Sequence, residues 1–396
     1  MIEDRISKGG TGMIWLKGTV LLILAGGLYY LSMVNASFAE WYRENIYRMI
    51  SEQVSRISGT VPFAVTELAA GLMILILAGS FLGIFRKGPK AGRFFRWLGG
   101  TYLTAAVLAL LYVTNCGINY RSVPFSEKSG LAAEIRKNAE SDGYDRRALA
   151  ELCAFIAERL NEAEGKRMEH AEDNGMERSA ENAGETRIAV SYGTETEIGE
   201  EARKAMEGLG EEYPVLSGYY PMPKPLVTSR IFSEQQVTGI YLPFFVEAAW
   251  NRDIPGYNRP FTACHELSHL RGFMREDEAN FIAFLACIRS DNAAFARSGW
   301  LEGWVYAGNA LAAEDPEAFS ALYGEIPESM KMELAENNEY WDRFRGRAAE
   351  VHEKVNDAYL RAGGQEEGVK SYGRIVDLML AYARRRGWKA VSYKIM

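Results

Sequence analysis

Residues 18–39, 68–85 and 97–118 each form a long apolar run without one charged side chain. Each run is close to the roughly 20 residues a helix needs to cross the hydrocarbon core of a bilayer. Lipid offers no hydrogen bonds, so a spanning backbone must satisfy its own, and helices are the simple solution. Buried helices of a soluble core are the bland alternative, but runs this long and uncharged are rare there. The loop between the second and third runs carries Arg86, Lys87, Lys90, Arg93 and Arg96 and no acidic residue, which predicts a cytoplasmic loop. Everything after Tyr120 then lies outside. Ser37-Phe38-Ala39 also resembles a small-x-small cleavage site, so the first run has a second reading as a signal peptide. Both readings leave the C-terminal region outside.

The sequence thus divides into a membrane part, residues 1–120, and a soluble part, residues 121–396. The soluble part reads as mainly α with a small β-sheet. Leu149 to Leu160 has helical apolar spacing, whereas Asn161 to Thr186 is so polar that it reads as a charged, flexible insertion. Val237 to Val246 reads as one strand, and Pro243 within it implies a sheet edge, where an extended peptide could pair. Leu301 to Leu311, Asn338 to Leu360 and Ile375 to Arg385 read as helices, with Gly363-Gly364 as a break. In the second of these, Tyr340, Trp341, Phe344, Val351, Val355 and Leu360 form the expected packing face.

The chemistry concentrates in His265-Glu266-Leu267-Ser268-His269. Positions i and i+4 of a helix share a face, so both imidazoles can reach one ion. Zinc held this way keeps an open position for water, and the carboxylate between the two histidines can take that water's proton. Pro260 suits a first helical turn and Gly272 a C-terminal cap, so this helix is expected over Arg259 to Arg271. A second helix beginning near Glu276 presents that carboxylate as third ligand, and Glu278 is a weaker candidate. Asn280, one turn on, can accept a hydrogen bond from a ligand histidine. Tyr257, Tyr306, Tyr372 and Arg374 are candidate donors to a developing oxyanion. His170 reads as solvated and His352 as a packing or surface residue.

HELSH followed by Glu276-Asp277-Glu278-Ala279-Asn280 resembles the glutamate-zincin metallopeptidases, whose third ligand lies in a downstream E-x-x-A-D or E-x-x-A-N motif. The resemblance implies a zincin-like domain with one Zn2+ per chain, held by His265, His269 and Glu276. It makes Glu266 the general base. Many relatives carry aspartate where this chain has Asn280. More closely, Pro260 to Glu266, Arg275 to Phe281 and Gly364 to Arg374 resemble bacterial membrane proteins grouped as domain of unknown function 3810. That resemblance implies a peptidase and names no substrate; the expected location is the bacterial cytoplasmic membrane.

A net charge of −7 argues against a nucleic-acid partner. Four cysteines without a C-x-x-C pair argue against a thiolate metal site. The expectation is a membrane-anchored zinc metallopeptidase facing outward, acting on a peptide or protein, with cell-envelope substrates included. A non-catalytic membrane sensor or scaffold with a structural zinc is the alternative. An intramembrane protease fits poorly, because Arg252, Arg259, Arg271 and Arg275 surround the motif. The sequence leaves the oligomeric state open.

Overall fold

The computed structural model describes residues 2–86, 90–138, 145–173, 191–365 and 374–388. The order is α1 (Ile2–Val34), α2 (Ala36–Tyr42), α3 (Arg48–Ser58), α4 (Val65–Leu82), α5 (Lys90–Tyr112), α6 (Phe125–Lys128), α7 (Ala132–Asn138) and α8 (Arg146–Asp173). There follow α9 (Glu195–Glu212), β1 (Lys224–Pro225), α10 (Ser229–Glu234), β2 (Gly239–Leu242), β3 (Glu247–Trp250), α11 (Asn258–Leu270) and α12 (Glu276–Ile288). The chain ends with α13 (Ala293–Glu314), α14 (Pro316–Glu325), α15 (Glu328–Asp342), α16 (Arg347–Ala362) and α17 (Ile375–Arg386). The fold is therefore mainly helical with one small sheet.

Two compact units emerge. The first comprises Met1–Val123, Tyr241–Glu247 and Leu270–Met274. Its helical stretches Gly12–Val34, Val65–Phe85 and Lys90–Arg121 are long and apolar enough to cross a membrane. Ile23 and Leu75 are each 70% exposed, and an apolar surface of that kind suits lipid rather than water. Against α1, the Tyr102 ring of α5 stacks on Trp15 at 4.9 Å. The start of α4 is held by Glu247, whose carboxylate accepts from the Val65 and Thr66 backbone N–H groups, both at 2.9 Å. A carboxylate there satisfies donors that a helix start leaves open. The first span starts and ends earlier than expected, over Gly12–Val34. Helix α1 stops at Val34, and Asn35 turns extended to cap α2 through the Phe38 N–H. Ala39, last residue of the candidate cleavage site, is fully buried in a cluster with Tyr42, Tyr47, Val113 and Ile118.

The second unit comprises Pro124–Ile240, Ala248–His269 and Arg275–Met396. At its centre lies α12, buried from Glu276 through Cys287. Its later turns are enclosed on all sides and leave no polar face, which explains the unbroken apolar sequence from Phe281 to Cys287. Phe281, Phe284, Trp300, Tyr382 and Trp388 form an aromatic cluster around it. Buried Arg297 of α13 ties this core to α8 and α15 through Glu164 and Glu333, each at 2.7 Å.

Four expectations change. The strand expected over Val237 to Val246 shortens to β2; Pro243 lies in the turn that follows, Val246 has a positive φ of 51°, and β3 begins only beyond it. The strand order is β1-β3-β2, so β2 does lie at an edge. Strand β1 pairs in parallel with β3, Lys224 opposite Ala249 and Pro225 opposite Trp250. The polar stretch beginning at Asn161 continues α8 as helix to Asp173, because solvated charged residues tolerate a helix well; residues 174–186 lie outside the described residues. The long helix expected over Asn338 to Leu360 breaks at residues 343–346 into α15 and α16. Tyr340 and Phe344 pack on Ile254, but Val351 and Val355 are exposed. Finally, the helix expected over Leu301 to Leu311 runs longer at both ends, as α13.

Candidate metal centre

Two helices of the second unit carry the site, and the sequence accounts for their ends. Ser298 of α13 fixes the start of α11. Its hydroxyl accepts from the Phe261 N–H at 3.2 Å and donates to the Tyr257 carbonyl. Within α11, the Ser268 hydroxyl donates to the Cys264 carbonyl at 2.9 Å, four residues back. The helix ends before Gly272, whose φ of +96° places it in the left-handed region where side-chain residues are strained. Arg275 is extended, and α12 then opens on Glu276, Asp277 and Glu278. Acidic side chains in a first turn complement the positive end of the helix dipole.

This arrangement brings the three expected ligands together. One Glu276 carboxylate oxygen, Oε2, lies 3.3 Å from His265 Nε2 and 3.7 Å from His269 Nε2. The two imidazoles meet edge to face with centroids 4.6 Å apart. Ligand atoms of all three residues lie within 4.8 Å of one another, so one ion can reach them all. The donor set fits a divalent cation: two imidazoles and one carboxylate in a buried wall. Burial and the neighbouring His269 lower the His265 pKa, so its ring is neutral and its lone pair is available. Burial works to raise the Glu276 pKa, but the two imidazoles outweigh it and hold that carboxyl well below the usual range. Both shifts run toward the forms that bind a metal, a neutral imidazole and an ionised carboxylate.

Glu266 occupies a different environment. It is 3% exposed, and its Oε2 has no hydrogen-bond partner. Burial pushes its pKa up to about 8 despite the pull of His269. The backbone of β2 passes over this carboxylate at Gly239. A Cβ built there would lie 2.6 Å from Glu266 Oε1 and 2.6 Å from Thr262 Cγ2. Only glycine lets the strand approach so closely.

Around this centre the other candidates sort themselves. The Asn280 side chain hydrogen-bonds His265, the arrangement expected of it, while its Nδ2 finds no partner. Glu278 points elsewhere: its Oε1 accepts from the Ser126 N–H at 3.2 Å. Burial, with Asp277 adding to it, raises the Glu278 pKa to about 7. It is no ligand. Tyr306 of α13 packs beside Phe261, with centroids 6.4 Å apart, one turn before His265 on α11. Tyr257 is 2% exposed and belongs to the core. Arg374 precedes α17 from an exposed position, and Tyr372 lies outside the described residues.

Sequence reasoning missed two residues. Gly239 signals itself only as a glycine interrupting an otherwise β-prone run, Val237-Thr238-Gly239-Ile240-Tyr241. Glu302 of α13 is 9% exposed, and burial raises its pKa to about 8. It stands one turn after Ser298 and one before Tyr306, on the same helix face. Nothing in the local sequence marks it as buried.

Among known proteins, a family model described as "Protein of unknown function (DUF3810)" matches residues 42–380. No curated protein and no solved structure matches the chain.

Proposed function

We propose that this chain, which belongs to the DUF3810 family, is a membrane-anchored zinc-dependent peptidase. The observation that carries the reading is the joint placement of four side chains. His265, His269 and Glu276 converge within 4.8 Å, and the carboxylate of Glu266, one residue after the first ligand, is buried with an unpartnered oxygen. A structural metal site has no need of that fourth group.

His265, His269 and Glu276 would hold the ion, and Asn280 would fix the His265 ring. Bound zinc would supply Lewis acidity, lowering the pKa of a bound water to about 7 and polarising a carbonyl. The remaining steps belong to the protein. Glu266 takes a proton from the attacking water at its free Oε2 and returns it to the leaving amine. Gly239 holds the β2 backbone against the other side of Glu266, which limits the carboxylate to one orientation and keeps bulk water off it. The substrate class is a peptide or protein, cell-envelope proteins included.

The basic residues of the segment Arg86 to Arg96 support a cytoplasmic position for that segment under the positive-inside rule. The catalytic region then faces outward from a bacterial cytoplasmic membrane.

The test uses the purified full-length chain in detergent, its zinc content, and hydrolysis of a fluorogenic peptide library. About one zinc per chain, lost in His265→Ala, together with cleavage abolished by Glu266→Gln at unchanged zinc content, is the expected result. Full cleavage by Glu266→Gln refutes the mechanism. Zinc binding without any cleavage by the wild-type chain makes the site structural, the sensor or scaffold reading.

A further inference from the structure

Helix α16 carries an apolar line that the fold does not cover. Val351, Val355 and Tyr359 recur every four residues and therefore share one face. They are 60%, 61% and 37% exposed. The helix is attached to its own unit by a different line, on which Leu360 is fully buried and His352 and Asn356 are half-buried. At 3.6 residues per turn, the two lines stand about a quarter turn apart.

Charge is also sorted around this helix. Arg347, Lys354 and Arg361 recur every seven residues, two full turns, and form an exposed basic line. It flanks the apolar line about a quarter turn away, on the side opposite the buried line. Glu350, Glu353 and Asp357 lie nearly opposite the apolar line, although Asp357 reaches across to Arg361 in a 2.7 Å ion pair. Arg343 and Arg345 precede the helix. From 342 to 361 the chain carries five basic and four acidic residues, with Arg345 paired to Asp342 at 2.8 Å, in a protein of net charge −7.

We propose that α16 is a membrane-surface helix that docks on anionic lipid headgroups. Apolar side chains flanked by long basic ones, with acidic groups on the far side, match an interface where the stems lie on acyl chains and the charges reach phosphate. Three helices suited to a bilayer are tethered to the same chain, so a lipid surface is always within reach. A second copy of the chain fits less well. Two such helices packed antiparallel about a twofold axis set one basic line against the other. The proposal is independent of the peptidase reading.

The test is lipid quenching of a probe at position 355 in the full-length chain. Cys116, Cys153, Cys264 and Cys287 are all buried, so Val355→Cys takes a thiol-reactive environment-sensitive fluorophore in the native protein. The labelled chain is reconstituted in phosphatidylcholine vesicles with or without phosphatidylglycerol, some carrying acyl-chain nitroxides. Expected are blue-shifted emission and nitroxide quenching in the anionic vesicles, both weakened by added salt. Each basic contact is worth about fivefold, so the triple reversal Arg347→Glu, Lys354→Glu and Arg361→Glu shifts the docked population by about a hundredfold. Should that triple change misfold, the salt dependence of the wild-type helix tests the same electrostatic attraction without a variant. Water-like emission without quenching overturns the proposal. So does quenching indifferent to lipid charge and to the reversal, or a blue shift without lipid quenching, which marks a protein partner.

Discussion

Replacing Gly239 by alanine introduces a single methyl group where the structure has no room for one. The new Cβ would stand 2.6 Å from Glu266 Oε1, 2.9 Å from Glu266 Cγ and 2.6 Å from Thr262 Cγ2. Ordinary contact begins at 3.4 Å, so either β2 or the Glu266 side chain must give way by roughly 0.8 Å. Overpacking of this size costs about 1–3 kcal/mol. In a unit of this size that lowers the melting temperature by roughly 2–4 °C per kcal/mol. The larger effect is on chemistry, because a base misplaced by about 1 Å can lose on the order of a hundredfold in rate. The ligands are untouched, since His265, His269 and Glu276 lie on other elements. The assay therefore pairs kcat/KM on a cleaved library peptide with zinc content and thermal melting. A loss of about a hundredfold at one zinc per chain is the expected outcome. Wild-type kcat/KM in Gly239→Ala would refute the claim that β2 positions Glu266. Loss of zinc in step with activity would place the effect on the metal instead.

Two further outcomes follow from groups beside the centre. Asn280→Ala removes the partner of His265 and should weaken zinc binding by about 10–100-fold in a competition titration with a chelator; Asn280→Asp keeps an acceptor and should retain binding. Unchanged affinity in Asn280→Ala would sink the orienting role. Glu302 concerns stability and pH. Its folded-state pKa of about 8 lies above the ordinary carboxyl value of 4.5. The unfolded chain is therefore already ionised across this interval while the native chain still holds the proton. Stability then falls as pH rises from about 4.5 to about 8, at up to about 1.4 kcal/mol per pH unit. Glu302→Gln should flatten that slope in denaturant melts and gain a few kcal/mol at alkaline pH, and an identical slope in both proteins would count against a buried protonated carboxyl.

What the sequence determined by itself was written in short-range spacing. The pair His265 and His269, the glycine stop at Gly272 and the restart at Glu276 fix the two site helices to within about a residue, because each signal acts within one or two turns. The apolar runs are equally local, since the length of an uncharged stretch is itself the physical requirement for crossing lipid. Even so, Asn35 ended the first run early by capping α2, which an average over hydrophobicity does not register.

Only tertiary structure decided the rest. That Glu276 turns back to His265 and His269 depends on the link at residues 271–275 and on the packing of α12, which spacing suggests but cannot aim. Gly239 and Glu266 are 27 positions apart in sequence, and their contact exists only because β2 crosses α11. Glu302 reads as an ordinary surface glutamate until α13 is packed against its neighbours. In α16 the same apolar pattern that marks a packed helix turned out to face outward, since periodicity records which side chains share a face but not what covers it. Local conformation is set by neighbours a few residues away, whereas burial and the meeting of distant side chains are properties of the folded chain.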